Sequence, residues 1–250
     1  FEMDFFHEGL AMSGAYNSTL TDGLWKNSFI VTGLFYEILN PKISWFITGN
    51  ETLGSWRFFN IILGFFVEIL ILFFCYKLSK LFNLKQNLEI LFFITIAILA
   101  IYLNREMTVA ADAYRPRDIP ILLFLLFSVN LLTSEKKNYL TCFVIGCLSI
   151  FSILWSLDKG AYINITLLAL ILLLFLKSKN YQTFFILIGL IISWLIFYFI
   201  IGPEEFAAFI SNTISIIKTH DFLNAIVYPS PFSFSENDSA RGTRNLLIII

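Results

Sequence analysis

Six long apolar runs, Phe58–Tyr76, Leu88–Leu103, Ile119–Leu132, Tyr139–Leu157, Ala161–Leu176 and Gln182–Ile201, constrain this chain more than any other feature. A helix crossing the roughly 30 Å hydrocarbon core of a bilayer takes about 20 residues. Runs of that order, joined by short polar segments, predict an all-α, polytopic transmembrane helical bundle. The third and fifth runs are short for a full span, so they borrow flanking residues, tilt little, or stop below the surface around a cavity. Composition agrees: 58% of the residues are hydrophobic and 14% charged, which excludes an ordinary soluble domain. The formal net charge of −1 says nothing about partners, because the charges are segregated by side. Cys75, Cys142 and Cys147 fall inside apolar runs and read as small buried hydrophobes, with no disulfide or metal spacing. Neither tandem repeats nor low-complexity linkers divide the chain, so residues 1–250 read as a single membrane domain.

The loops between the runs are of two kinds. One kind carries lysine without arginine: Lys77, Lys80 and Lys85, then Lys136 and Lys137, then Lys177 and Lys179. The other holds all six arginines (Arg57, Arg105, Arg115, Arg117, Arg241, Arg244), both histidines and most of the carboxylates. Short cationic loops translocate poorly, so the lysine loops predict the cytoplasmic face. Phe1–Ser55, Asn104–Asp118, Asp158–Gly160 and Gly202–Asn245 are then extracytoplasmic. A chain that opens at Phe1 and runs into a further apolar stretch at Leu246–Ile250 reads as a fragment, with another helix expected at each end. Abundant Ile, Phe, Asn and Lys suit an AT-rich bacterial genome, so a bacterial inner (plasma) membrane is expected. Phe29–Leu39 and Pro203–Ile217 are apolar but too short or interrupted to span, and read as interfacial helices on the arginine side. Glu68 is expected mid-helix in the first run, either as a functional intramembrane carboxylate or as a protonated group hydrogen-bonded between helices.

Four polar clusters on the arginine side could carry chemistry. In Asp4-Phe5-Phe6-His7-Glu8-Gly9, helical geometry would bring Asp4, His7 and Glu8 onto one face. Two carboxylates and an imidazole there suit a general base, a divalent metal site, or both; a polar helix end at headgroup level is the alternative. Arg105-Glu106, Asp112 and Arg115-Pro116-Arg117-Asp118 offer guanidiniums suited to bidentate phosphate contact, unless they pair with neighbouring carboxylates. Asp158-Lys159-Gly160 places a lysine in a tight turn on the same face, facing an anion or pairing with Asp158. His220-Asp221, the Pro229-Ser230-Pro231 loop, Arg241 and Arg244 could cover a site or merely connect helices. No Gly-rich phosphate loop, zinc signature or nucleophile elbow is visible, and nothing suggests a nucleic-acid partner.

In order, the parts are an acidic motif opening a long first loop, then Gly54-Ser55-Trp56-Arg57 at the start of a span. A charged loop ending in Asp118 and a Lys159-Gly160 turn follow. This layout, over most of the 250 residues, resembles the membrane-embedded glycosyltransferases of the GT-C fold, including protein mannosyltransferases and the aminoarabinose transferases of lipid A. With its Asp4-to-Gly9 opening it also looks like bacterial relatives of that group. The resemblance implies transfer of a sugar from a polyprenyl-phosphate donor to a lipid, glycan or protein acceptor outside the cytoplasm. It implies that Asp4, with Glu8 as second candidate, acts as general base or helps hold a divalent metal, for which His7 with Asp4 and Glu8 is the candidate set, and that Arg57, Arg115, Arg117 and Lys159 contact the donor phosphate. Many members carry adjacent Asp-Glu, whereas here Phe5, Phe6 and His7 intervene. A surface-polysaccharide polymerase or ligase would also use outward-facing arginines. A transporter or lipid flippase would need polar groups at the bilayer midplane and repeat symmetry, to which only Glu68 answers.

Overall fold

The computed structural model describes residues 7–82, 84–105, 115–133 and 138–223, and among these the chain is helical with no strand. In chain order the elements are α1 (His7–Leu20), a π-helical turn (Phe35–Leu39), α2 (Asn40–Thr48), α3 (Leu53–Leu81), α4 (Gln86–Arg105), a 3-10 turn (Arg115–Asp118), α5 (Ile119–Thr133), α6 (Tyr139–Trp155), α7 (Leu157–Leu176), α8 (Asn180–Ile201) and α9 (Pro203–Leu223). All six apolar runs form helices, the fourth ending at Trp155 with Leu157 passing to the next helix. Three of them, α3, α7 and α8, are long and apolar enough to cross a membrane, while Gln86–Ala100 and α6 are shorter apolar helices.

Helix ends follow local chemistry. Thr52 caps α3, its hydroxyl accepting from the Ser55 amide at 3.2 Å, and Asn138 caps α6 by accepting from Thr141 at 3.1 Å. Such caps satisfy amides that no preceding turn can reach. Between α6 and α7 the break is the single residue Ser156, extended at φ −157° and ψ 120°. Asp158-Lys159-Gly160, expected as a connecting turn, is instead the first turn of α7. The apolar stretch around Phe29–Leu39 does not stop at Asn40-Pro41 either. Pro41 lacks a donor; the widened π-turn ahead of it, closed by the Asn40 amide on the Phe35 carbonyl, leads straight into α2.

The tightest packing is between α6 and α8. A Cβ on Gly146 would lie 2.1 Å from the Ile186 carbonyl oxygen, and one on Gly189 2.1 Å from the Phe143 carbonyl oxygen, so only glycine lets these backbones meet. Around that crossing α5–α8 bury Phe124, Ile145, Leu167, Leu174 and Ile186. A polar knot ties three helices together: Asn164 of α7 donates to the Ser149 carbonyl at 3.0 Å, and Trp194 of α8 donates to the Ser149 hydroxyl at 3.0 Å. A second core, with Val67, Leu70, Ile71, Ala97 and Leu126, joins α3, α4 and α5. Cys75 and Cys142 are buried and all three cysteines are free thiols. Glu68 is half-buried on α3.

Outside these cores the bundle is apolar where it is exposed. Ile61, Phe65 and Ile69 of α3, Ile165, Leu168 and Leu172 of α7, and Ile192, Ile196 and Phe199 of α8 face outward. An apolar exterior of this extent suits a lipid bilayer. α2 buries Asn40, Pro41 and Ser44 while exposing Ile43, Phe46 and Ile47.

Candidate functional site

The segments that the sequence placed on one face meet in the structure. Arg117, in the 3-10 turn before α5, reaches across to the α6–α7 corner. Its Nε donates to the Ser156 hydroxyl at 2.9 Å and its Nη2 to Asp158 Oδ1 at 2.5 Å. Ser156 in turn donates to the same Asp158 oxygen at 2.6 Å. The guanidinium lies 5.6 Å from the centre of the Tyr36 ring, which adds a cation–π contact. The turn is fixed from its backbone too, since Trp155 Nε1 donates to the Pro116 carbonyl at 2.7 Å. Lys159, one residue past Asp158, pairs with Asp118 at 3.2 Å.

The first loop closes over this corner. The Leu157 amide donates to the Thr32 carbonyl at 2.7 Å, and Phe35 stacks on Trp155 with ring centres 3.6 Å apart. Gly33 makes the approach possible. Its φ is +138°, and a Cβ there would lie 2.8 Å from both the Ser156 Cα and the Trp155 carbonyl oxygen. Glu37, 2% exposed, holds the loop's shape from the π-turn by accepting the amides of Val31 (2.9 Å) and Thr32 and the Thr32 hydroxyl (2.7 Å). Burial raises its carboxyl above the ordinary carboxylate range, against the pull of those hydrogen bonds and of the Arg117 charge.

Tyr36 links this corner to the start of the chain. Its ring meets Trp56 edge-on at 6.2 Å, and Ala11 of α1 completes the cluster. Next to Trp56, Arg57 forks onto Glu8 of α1, with Nε to Oε1 at 2.6 Å and Nη2 to Oε2 at 2.7 Å. Glu8 and Arg57, expected on opposite sides of a reaction as base and phosphate ligand, are thus partners of each other.

Each described candidate cation therefore has a carboxylate: Arg57 has Glu8, Arg117 has Asp158 and Lys159 has Asp118. With both Glu8 oxygens on a guanidinium, this carboxylate does not fit a metal ligand in the present arrangement. No metal-ligand cluster of three or more His, Cys, Asp or Glu occurs among the described residues. Asp4, Glu106, Asp112, the 229–231 loop, Arg241 and Arg244 lie outside the described residues, as do the side chains of His7, Arg105, Arg115, His220 and Asp221. The sequence reading missed Ser156, Tyr36, Thr32, Glu37 and Trp155. Only Ser156 carried a local signal, as a hydroxyl residue preceding a helix with an acid in its first turn.

The fold and this corner define an all-helical protein with helices long and apolar enough for a bilayer and a charged cluster where three loop segments converge. Compared with protein families, curated proteins and solved structures, the chain finds no match.

Proposed function

We propose that this chain is an integral membrane glycosyltransferase that moves a sugar from a polyprenyl-phosphate donor to an acceptor hydroxyl on the extracytoplasmic side of a bacterial inner membrane. One observation carries the reading: Arg117, Lys159, Asp118 and Asp158 are gathered at the ends of apolar helices, under a loop that closes over them. A donor whose lipid tail lies in the bilayer would present its phosphate at such a level.

The pairs are suited to exchange. Lys159 and Asp118 are 31% and 36% exposed at the side chain, and a pair so exposed is worth little in water. A donor phosphate can therefore take the Lys159 ammonium from Asp118. Arg117 is held more firmly, by Ser156 and Asp158, and supplies fixed positive charge beside it. In the transfer step the acceptor oxygen bonds to the anomeric carbon as the bond from that carbon to the phosphate oxygen breaks. The electron pair leaves with the lipid phosphate, where Lys159 and Arg117 stabilise the growing charge. The acceptor proton passes to a carboxylate base. Asp4 is that base in this reading. Glu8, four residues later, serves as the anchor that fixes α1 to Arg57.

The test is transfer from labelled polyprenyl-phosphate sugars in membranes carrying the full-length protein. Lys159→Ala and Asp4→Asn are each expected to lower turnover by about 100-fold or more. Wild-type rates in both variants, or no transfer from any donor offered, would overturn the reading.

A further inference from the structure

We infer that an open cleft between residues 25–29 and α9 is a binding site for a neutral, hydroxyl-rich group, a sugar ring in the first instance. The cleft has a volume of about 510 Å³ and is lined on one side by Lys26, Asn27 and Phe29 and on the other by Ser211, Asn212 and Ser215. That volume is within the range of small-ligand sites.

Its walls are built rather than incidental. One carboxylate oxygen of Glu205, in the first turn of α9, accepts the amides of Leu24 (3.1 Å), Trp25 (2.7 Å) and Lys26 (3.3 Å). Three convergent amides on one anion fix that segment's backbone. Trp25 beneath it packs edge-on against Phe197 and Phe209 at 5.9 and 5.1 Å. On the opposite wall Asn212, 8% exposed, donates to the Ile30 carbonyl at 2.8 Å. Its side-chain oxygen has no partner. That oxygen is closed off from solvent, so Asn212 builds the wall of the cleft and leaves ligand contacts to the more exposed residues around it. Ser215 donates its proton to the Ser211 carbonyl at 2.8 Å, which leaves its oxygen as an acceptor in the lining of the cleft. Phe29, 52% exposed, offers a ring to the apolar C–H face of a pyranose.

Charge selects against an anion here. Among the described lining residues Lys26 is the one cation, and it stands between the Glu204 carboxylate at 2.6 Å and that of Glu205, so two acids outnumber it whether or not the exposed pair holds. Helix geometry sets the direction in which the cleft opens. On α9 the exposed apolar residues Ile210, Ile214 and Ile217 lie roughly 150° around the helix from the Ser211, Asn212, Ser215 face. If the apolar stripe rests on lipid, the cleft opens away from it, at the level where headgroup sugars and soluble glycans are both within reach.

The site gives the transferase reading a subsite for a sugar-bearing substrate, and it rests on that reading only for which substrate arrives. Its test is binding, measured apart from turnover. The full-length protein in nanodiscs is titrated with methyl glycosides of glucose, mannose, galactose and N-acetylglucosamine, and separately reconstituted with monogalactosyl diacylglycerol. Inorganic phosphate serves as the anionic probe, and ligand-observed saturation-transfer spectra are the readout. Saturable binding of at least one sugar is expected, weakened about tenfold in Ser215→Ala, as loss of one hydrogen-bonding partner predicts. It should be abolished in Ser211→Trp, which fills the cleft from an exposed position. Binding by soluble glycosides alone points to a glycan substrate, and by the glycolipid alone to a lipid-linked one. No saturable sugar binding, binding undiminished in Ser211→Trp, or preference for phosphate would overturn the assignment. Sugar binding without transfer activity would defeat the transferase reading and leave the cleft standing; the reverse result would do the opposite.

Discussion

The Glu8–Arg57 fork is the contact that most sharply separates a chemical role for Glu8 from an anchoring one. The Glu8 side chain is 9% exposed and the Arg57 side chain 31%, so the pair is neither a surface pair nor a fully buried one. Exposed pairs couple by about 0.2–1 kcal/mol, and removing one partner of a buried pair costs about 3–5 kcal/mol. Two short parallel contacts, one partner buried and the other a third exposed, place the coupling at about 1.5–2.5 kcal/mol. Arg57→Ala strands a buried carboxylate and should cost about 3 kcal/mol. Glu8→Gln, which leaves one acceptor for the guanidinium, should cost about 1–2 kcal/mol. The double variant should cost less than the sum by the coupling energy. The assay is a double-mutant cycle on unfolding of the detergent-solubilised protein, with hydrogen exchange of α1 amides as local readout. Additivity within about 0.5 kcal/mol would refute the anchoring argument. So would Glu8→Gln leaving α1 protection unchanged while transfer is lost, since that would give Glu8 a chemical role.

Gly146→Ala or Gly189→Ala forces backbones apart at contacts of 2.1 Å, and each should destabilise the bundle by about 1–3 kcal/mol, read as a lowered Tm. Arg117→Lys keeps the charge but cannot serve Ser156, Asp158 and Tyr36 together; about 1–2 kcal/mol of stability should go, with faster exchange at the Leu157 amide. Burial of Glu37 makes the folded state hold this proton more tightly than the unfolded one. Its contribution to stability is therefore highest below the ordinary carboxylate range and falls as pH rises through the raised folded value. Glu37→Gln should flatten the fall of Tm as pH rises above the ordinary carboxylate range, and an unchanged slope would count against it. Cysteines placed at Thr19 and Ser134 should react from outside and inside respectively; the reverse labelling would overturn the orientation of the proposed site.

The helices were legible because their signal is local. Each apolar run of span length is helical in the structure, with its ends moved by at most five residues: α3 gains five at each end, and α7 takes Leu157 from the preceding run. The pairing of segments was partly legible: charge sorting put residues 1–55, 104–118 and 158–160 on one side, and in the structure the first loop, the Arg117 turn and the α6–α7 corner touch. What each cation touches was not. Glu8 and Arg57 are 49 residues apart, and no spacing rule links a residue on α1 to one on α3. Asn164, a polar residue inside an apolar run, ties α7 to α6 through Ser149, because a polar side chain among apolar helices has few other partners.

The sequence by itself determined that this protein is helical, that it carries helices suited to a bilayer, and which segments are polar, since each follows from residue type along a few turns of chain. Tertiary structure alone decided that Arg117 sits on Ser156 and Asp158, that Arg57 is committed to Glu8, and that a cleft lies between residues 25–29 and α9. Those outcomes depend on where backbones can approach, as at Gly33, Gly146 and Gly189, and on which charge a buried carboxylate meets first. Close approach and ion pairing act through space between segments far apart in the chain, so no local window of sequence contains them.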